Sequence, residues 1–133
     1  MQARDVMTPS PVTRNPTASL SEVMETMLDK DIRHLPIVSG EELVGMVSDR
    51  DMRQFSRDLI SDNGRAKAQL AAPISKMMSG DVLTVEPEDD LDDLIELMVE
   101  HKVGAVPVVD GDGSLVGIVS YIDILRAALG KLS

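Results

Sequence analysis

A pattern of glycine, two apolar residues, serine, two variable residues and aspartate occurs twice in this chain. The first copy supplies Ser48 and Asp51, and the second supplies Ser120 and Asp123. The three-residue spacing places the hydroxyl and the carboxylate of each copy on one side of the first turn of a helix. There they can form a capping box, with serine as the N-cap and aspartate accepting from a backbone N–H group. They could also bind a ligand, and one copy alone does not decide between these roles.

The other reactive residue types do not form a catalytic pattern. The chain has no cysteine and two histidines, which excludes disulfides, thiolate zinc sites and cysteine nucleophiles. It has no glycine-rich phosphate loop, no nucleophile elbow and no histidine pair at metal-ligand spacing. The acidic run 86–93 fits a solvated helix start, and 110–113 fits a hairpin turn better than a calcium loop, because the closing glutamate is missing. We therefore expect no catalytic residue, no metal site and no enzymatic activity.

Composition and charge restrict the classes of partner. The chain has 133 residues, of which 43% are hydrophobic, and a formal net charge of −10. Such a surface repels a phosphate backbone, so we expect no binding to nucleic acid. The apolar runs are shorter than the roughly 20 residues of a membrane span, and no signal-peptide region follows the first residues. These features predict a cytoplasmic protein that does not enter a membrane.

The chain aligns with itself when it is shifted by 71 residues. The offset becomes 72 after one inserted residue in a turn, and both heptapeptides then coincide. Units of this length usually cannot bury their apolar faces alone, so we expect each copy to help close the core of the other. The identical pairs at the first offset are Thr13 and Thr84, Pro16 and Pro87, Leu20 and Leu91, Met27 and Met98, Pro36 and Pro107, Val38 and Val109, and Gly40 and Gly111.

Hydrophobic periodicity predicts the same order of elements, β-α-β-β-α, in each copy. The helix has one buried face, and two β-rich runs with a polar turn between them follow it. A serine N-cap then starts a second helix. The predicted elements are a short strand near 11–13 and 82–84, a helix over 20–28 and 91–99, strands at 35–38, 43–47, 106–109 and 115–119, and a last helix from Ser48 and from Ser120.

The repeat alignment divides the chain into two copies and a connector. The first copy spans 1–55 and the second spans 73–133, whereas 56–72 has no counterpart in the alignment. Within the connector, Asp62-Asn63-Gly64 predicts a turn, and 66–72 predicts a helix.

These motifs resemble a tandem pair of cystathionine-β-synthase (CBS) domains, known as a Bateman module. The two heptapeptides are the most specific part of the resemblance, since each occupies the same place in a matching repeat. The resemblance implies an α/β (α+β) fold in which two β-α-β-β-α repeats pack with pseudo-two-fold symmetry. The other segments that carry it are Val6-Met7-Thr8, Met77-Met78-Ser79, Arg33-His34-Leu35-Pro36-Ile37-Val38 and Gly104-Ala105-Val106-Pro107-Val108-Val109.

The resemblance also implies a ligand and the residues that bind it. In this family the heptapeptide aspartate binds the ribose hydroxyls of an adenosine ligand, and the serine lies near the phosphates. A carboxylate can accept two hydrogen bonds from a cis-diol. The implied ligand is AMP, ADP or ATP, with S-adenosylmethionine as another adenosyl candidate. The implied nucleotide-binding residues are Ser48, Asp51, Ser120, Asp123, Arg33, His34, Arg50, Thr13, Thr84, Gly104 and Ala105.

By the same resemblance the two sites are unequal, because the strand start of one copy faces the heptapeptide of the other. Arg33 and His34 would face Asp123, where Arg33 would neutralise phosphate, whereas Gly104 and Ala105 would face the first heptapeptide. We therefore expect tighter nucleotide binding at the Asp123 site. Two alternatives stay open: Arg33 is a solvated charge at a helix end, and the serines and aspartates only cap helices.

The resemblance finally implies partners. Modules of this family commonly pair through their helices, so we expect a homodimer and a regulated protein partner, with energy sensing as the role. One alternative is a structural dimerisation module without a physiological ligand. Another is the regulatory fragment of a larger enzyme or transporter.

Overall fold

The computed structural model describes residues 1–61 and 64–132, which form helices and short strands. Within these ranges no helix combines the length and the apolar character that crossing a membrane requires. The helices are α1 (Ala3–Val6), α2 (Leu20–Asp29), α3 (Asp49–Ser61), α4 (Ala66–Ala71), a 3₁₀ segment (Ile74–Lys76), α5 (Leu91–His101) and α6 (Tyr121–Leu132). The strands are β1 (Thr8–Pro9), β2 (His34–Ser39), β3 (Glu42–Ser48), β4 (Ala105–Val109) and β5 (Leu115–Ser120).

The predicted α/β (α+β) class is confirmed. The last helix of each repeat, α3 or α6, begins directly after the predicted serine N-cap. The predicted connector helix is confirmed as α4. The predicted opening strands are reduced to single parallel bridges, in which Arg14 pairs with Ile37 and Val85 pairs with Val108. Proline follows each bridge within two residues, at Pro16 and Pro87. Proline has no N–H group to donate, so the pairing cannot extend.

The chain divides into two compact units. Unit 1 comprises Met1–Pro11, Glu41–Leu43 and Leu83–Ser133, and unit 2 comprises Val12–Gly40 and Val44–Val82. Each unit is therefore built mainly from one sequence repeat together with the opening segment of the other. The predicted repeat boundaries and the pseudo-two-fold packing stay predictions. Asp62 and Asn63 of the predicted turn lie outside the described residues.

Backbone hydrogen bonds fix each opening segment in its unit. The N–H group of Ala3 donates to the carbonyl of Asp89 at 2.8 Å, and the N–H group of Ile74 donates to the carbonyl of Ala18 at 2.7 Å. Ala3 and Ile74 are fully buried in the cores of their units. Each repeat thus contributes apolar surface to the core of the unit formed by the other, as the sequence predicts.

Unit 1 contains a three-stranded antiparallel sheet in the order β1-β5-β4. Thr8 lies opposite Ile118, and Ala105 lies opposite Ser120. The turn between β4 and β5 is closed by Asp110, whose Oδ1 accepts the N–H groups of Asp112 and Ser114. That carboxylate therefore serves the predicted hairpin turn. The buried core residues are Ala3, Val85, Leu91, Leu94, Met98, Val106, Val108 and Val119.

Unit 2 contains the two-stranded sheet β2-β3 and the helices α2, α3 and α4. Ser19 caps α2, since its Oγ accepts the N–H group of Glu22 at 3.1 Å. Phe55 of α3 and Met77 pack against the core from partly buried positions. The buried core residues are Ala18, Leu20, Val23, Met27, Leu35, Ile37, Val47 and Ile74.

Candidate functional site

In unit 1 the second heptapeptide forms the junction between β5 and α6. The N–H group of Ser120 donates to Oδ2 of Asp123 at 2.8 Å, and the N–H group of Asp123 donates to Oγ of Ser120 at 3.3 Å. The hydroxyl of Ser120 also donates to Oδ2 of Asp123 at 3.0 Å. These reciprocal bonds are a capping box, which satisfies N–H groups that the helix start leaves without partners.

The first heptapeptide forms the same junction between β3 and α3 in unit 2. The N–H group of Ser48 donates to Oδ2 of Asp51 at 2.8 Å, and the N–H group of Asp51 donates to Oγ of Ser48 at 3.2 Å. Ser48 and Asp51 are half-buried. The serines and aspartates therefore cap the helices in both units, which is one of the two roles that the sequence left open. Only Oδ2 of each aspartate takes part in the cap.

The two aspartates differ in what their second oxygen contacts. Oδ1 of Asp123 accepts the hydroxyl of Thr8 at 3.2 Å. Ser79 occupies the equivalent opening position of unit 2, but among the described residues it forms no hydrogen bond to Asp51. Sequence reasoning did not assign Thr8 to the site. The signal was its place in the opening motif, where the shift of 71 residues aligns it with Ser79.

Close contact at the heptapeptide glycines holds the opening segments against the strands. The Cα of Gly45 lies under the side chain of Met78, and that of Gly117 lies under the side chain of Met7. A Cβ atom at either glycine would overlap the methionine sulfur. Packing therefore favours glycine in both heptapeptides, and more strongly at Gly117, where the carbonyl oxygen of Thr8 also lies close.

The strand starts named by the sequence lie next to the helix starts of their own repeats. The N–H group of Asp49 donates to the carbonyl of Arg33 at 2.7 Å, and the N–H group of Tyr121 donates to the carbonyl of Gly104 at 3.0 Å. These bonds join backbone groups and set where β2 and β4 begin relative to α3 and α6. The predicted facing of Arg33 and His34 towards Asp123 stays a prediction.

His34 is the one titratable group of the described residues whose pKa is clearly shifted. Burial lowers the pKa of His34 below its ordinary value of 6.5, the carboxylates of Asp49 and Asp51 partly oppose this effect, and the charge of Arg33 adds to it. The imidazole is therefore neutral at pH 7, with one nitrogen as donor and the other as acceptor. A neutral imidazole suits a hydrogen bond to a hydroxyl or an amide group as well as one to an anion.

The other residues that the resemblance implied, Arg50, Thr13 and Thr84, lie on the first turn of α3 and beside the two single bridges. Arg50 is exposed in the first turn of α3. Thr13 and Thr84 are half-buried and directly precede the bridging residues Arg14 and Val85. Their contacts with a nucleotide stay predictions.

A family model matches most of the chain. The model is that of the CBS domain, and it matches residues 3–58 and 74–130. Neither matched segment is a catalytic domain. The two segments correspond to the two sequence repeats and leave out most of the connector.

Curated proteins are similar to this chain over most of its length, at moderate sequence identity. An uncharacterized 33.4 kDa protein in the ribosomal RNA operon of Thermofilum pendens is 36% identical over 129 residues, which is 94% of this chain and 43% of that protein. The chain spans about half the length of the curated relatives it matches.

Two solved structures of similar chains contain adenosine compounds. The crystal structure of CBSX2 in complex with AMP is 28% identical, has a TM-score of 0.86 and covers 99% of this chain and 98% of its own. The CBS domain pair of protein MJ0100, in complex with 5′-methylthioadenosine and S-adenosyl-L-methionine, is 29% identical with a TM-score of 0.81. It covers 98% of this chain and 98% of its own.

Proposed function

The chain belongs to the CBS domain family, and on that premise we propose that it is a regulatory module that binds an adenosine ligand at its heptapeptides. The observation that carries the proposal is the repeated junction of strand end and helix start with a serine and an aspartate in a capping box. Two similar CBS pairs were crystallised with AMP and with S-adenosylmethionine and methylthioadenosine. The finer choice among AMP, ADP, ATP and S-adenosylmethionine is part of the proposal.

The chemistry of the junction suits a ribose and its phosphate. A cis-diol can donate two hydrogen bonds to a carboxylate, and the negative charge strengthens both. The N-terminus of a helix carries a partial positive charge that favours phosphate. Helices α3 and α6 have 13 and 12 residues, so this charge is fully developed at both starts. The cap bonds hold each aspartate in one orientation and reduce the entropy that binding would cost.

The two sites are proposed to differ in affinity. The sequence places Arg33 and His34 at one strand start and Gly104 and Ala105 at the other. By resemblance to the family, the first pair contributes to the site of Asp123, where a cation would offset the phosphate charge. We therefore expect AMP to bind more tightly at the Asp123 site than at the Asp51 site.

Isothermal titration with AMP, ATP and S-adenosylmethionine tests both proposals. Asp123→Asn and Asp51→Asn keep an oxygen that can accept the cap hydrogen bond, yet they remove the charge that strengthens the ribose bonds. A hydrogen bond to a charged group contributes about 1.5–3 kcal/mol, so each change is expected to weaken its own site by about 10- to 100-fold. The larger loss of total affinity is expected for Asp123→Asn.

Asp93→Asn is the matched control, because Asp93 is an exposed carboxylate in the first turn of α5, outside both heptapeptides. Its titration should equal that of the unchanged chain. A chain that binds no adenosine compound, although its circular dichroism shows it to be folded, would favour a structural dimerisation module. Equal losses from the two heptapeptide variants would contradict the proposed difference between the sites.

A homodimer is part of the proposed function. Helix α6 exposes Ile122, Leu125 and Leu129, with 40%, 54% and 66% of their surfaces accessible. Their spacing of three and four residues puts them on one stripe of the helix. An apolar stripe of this kind is typical of a surface that packs against another protein. The family's habit of pairing through helices makes a second copy of this chain the proposed occupant, and the regulated protein partner stays a prediction.

A further inference from the structure

Unit 2 contains a pocket that belongs to neither heptapeptide. It has a volume of about 290 Å³ and lies among the start of α2, the middle of α3, the end of α4 and the 3₁₀ segment. The pocket is lined by Leu20, Phe55, Asp58, Gln69, Ala72, Lys76 and Met77.

The connector builds one wall of this pocket. Gln69 lies in α4 and Ala72 follows it, and both belong to the segment that has no counterpart in the other repeat. The carbonyl of Ala72 accepts the N–H group of Leu20 at 3.0 Å, which fastens the end of α4 to the start of α2. The wall is therefore held by a backbone bond within unit 2. The repeat alignment alone predicts that the second repeat cannot form the same pocket.

The lining combines an apolar surface with one acid, one base and one amide. Leu20, Met77 and Phe55, which is the single phenylalanine of the chain, form the apolar part. Asp58 and Lys76 are both exposed at the pocket, and within the described ranges no ion pair joins them. Oδ1 of Asp58 accepts from the amide of Gln54 at 3.1 Å, which orients its carboxylate.

The volume limits the class of ligand. Pockets for drug-sized ligands and cofactors measure about 300–1,000 Å³, and this pocket lies at the lower limit of that range. A nucleotide with its phosphates needs more space than an apolar metabolite of a few carbon atoms. The pair of opposite, unjoined charges fits a ligand that carries both charges itself.

We propose that this pocket binds a free α-amino acid with an apolar side chain, such as leucine, methionine or phenylalanine. The ammonium group of the ligand pairs with Asp58, and its carboxylate pairs with Lys76 and accepts from the amide of Gln69. The side chain of the ligand packs against Phe55 and Met77. The site is separate from the proposed adenosine sites, so the two functions can fail independently.

The test is a titration of the whole chain with L-leucine, L-methionine and L-phenylalanine, followed by NMR or calorimetry. N-acetyl-L-leucine lacks the ammonium charge and L-leucinamide lacks the carboxylate, so each should bind at least about 10-fold more weakly than L-leucine, as expected for the loss of a charged hydrogen bond. Glycine, which has no side chain to bury, should bind weakly as well.

Variants then assign each charge to its partner. Asp58→Asn should weaken the binding of L-leucine by about 10-fold and abolish the preference for L-leucine over N-acetyl-L-leucine. Lys76→Gln should abolish the preference for L-leucine over L-leucinamide. Lys67→Gln is the matched control, because Lys67 is exposed on α4 and does not line the pocket. All of these residues are exposed, so the variants are expected to fold, which circular dichroism verifies.

The outcomes separate this proposal from the adenosine proposal. The double variant Asp51→Asn, Asp123→Asn should leave the affinity for L-leucine unchanged and lower the affinity for AMP. The three amino acids are titrated up to about 10 mM. If none of them binds saturably in this range, any affinity is too weak to matter and the inference is overturned. Equal affinity for L-leucine, N-acetyl-L-leucine and L-leucinamide would also overturn it, because the two charges would then contribute nothing.

Discussion

Helices α3 and α6 begin alike and then diverge. Both follow a heptapeptide whose serine and aspartate form a capping box. Counted from the capping serine, the positions of Ile122, Leu125 and Leu129 in α6 are arginines in α3, and all six side chains are exposed. The corresponding arginines are Arg50, Arg53 and Arg57.

This comparison separates what the two copies share from what distinguishes them. The capping box depends on local geometry at a helix start, so the same two residue types, serine and aspartate, reproduce it in each copy. The outer face of the helix is exposed in its unit, and substitutions on an exposed face usually change the free energy of unfolding little. The copies therefore share the capping box and differ in the exposed face of the helix that follows it.

The largest effect is expected when an exposed apolar residue of α6 is replaced by the arginine that α3 has at the same position. Leu125→Arg places a charge in the proposed dimer interface, and an unpaired charge that is taken out of water costs several kcal/mol, so dimer affinity should fall by about 100-fold or more. Light scattering over a range of concentrations measures the change. Arg53→Leu, at the equivalent position of α3, is the control and should leave the dimer intact. A chain that is monomeric before any substitution would contradict the interface.

An intermediate effect is expected at the heptapeptide glycines. A Cβ atom at Gly117 would meet the side chain of Met7 and the carbonyl oxygen of Thr8 at 3.1 Å, whereas at Gly45 its near contacts are with the side chain of Met78. Methionine can change rotamer more easily than backbone can move. Gly117→Ala should therefore destabilise the fold by about 1–3 kcal/mol, and Gly45→Ala by less.

Urea unfolding of the two glycine variants measures this difference. Met78→Ala loses packing of its own, but combined with Gly45→Ala it should cost less than the sum of the two single changes, because the overlapping side chain is removed. The relief should be smaller for Met7→Ala combined with Gly117→Ala, since the contact with the backbone of Thr8 remains. Equal costs at both glycines would show that the extra contact with Thr8 does not distinguish the units.

The smallest effect concerns His34, which aligns with Ala105 in the other repeat. Because burial lowers the pKa of His34 in the folded chain, the unfolded chain binds more protons in the window between the lowered pKa and 6.5. Stability therefore rises with pH through this window and is lost as the pH falls through it. His34→Gln should remove that part of the pH dependence.

Urea unfolding between about pH 7.5 and about pH 5.5 covers the range in which an ordinary histidine titrates. The unchanged chain should lose more stability across this range than His34→Gln. His101→Gln is the control, because His101 is exposed at the end of α5. If the His34 and His101 variants behave alike, the burial of His34 does not couple its protonation to folding.

Much of the local structure could be predicted from the sequence. Apolar spacing located α2 and α5, and the serines at 48 and 120 marked where α3 and α6 begin. The capping box could be predicted as well, because it joins residues that are three positions apart. Such features depend on contacts within one turn, and local residue types determine them.

The opening strands were less predictable. Pairing at Arg14 and Val85 is limited to single bridges, because the prolines that follow cannot donate. The contact of Thr8 with Asp123 joins residues 115 positions apart, and no local pattern records it. Thr8 and Ser79 are aligned by the repeat, yet among the described residues only Thr8 donates to the heptapeptide aspartate of its unit.

The sequence by itself determined two similar repeats, the order of their longer helices and strands, and the capped helix starts. Only the tertiary structure decided that each opening segment completes the unit of the other repeat, that Thr8 reaches Asp123, and that α4 forms one wall of a pocket beside Phe55. The physical reason is range. Capping and amphipathic periodicity act over a few residues, whereas the fit of a short apolar segment into one of two similar cores depends on packing between distant parts of the chain.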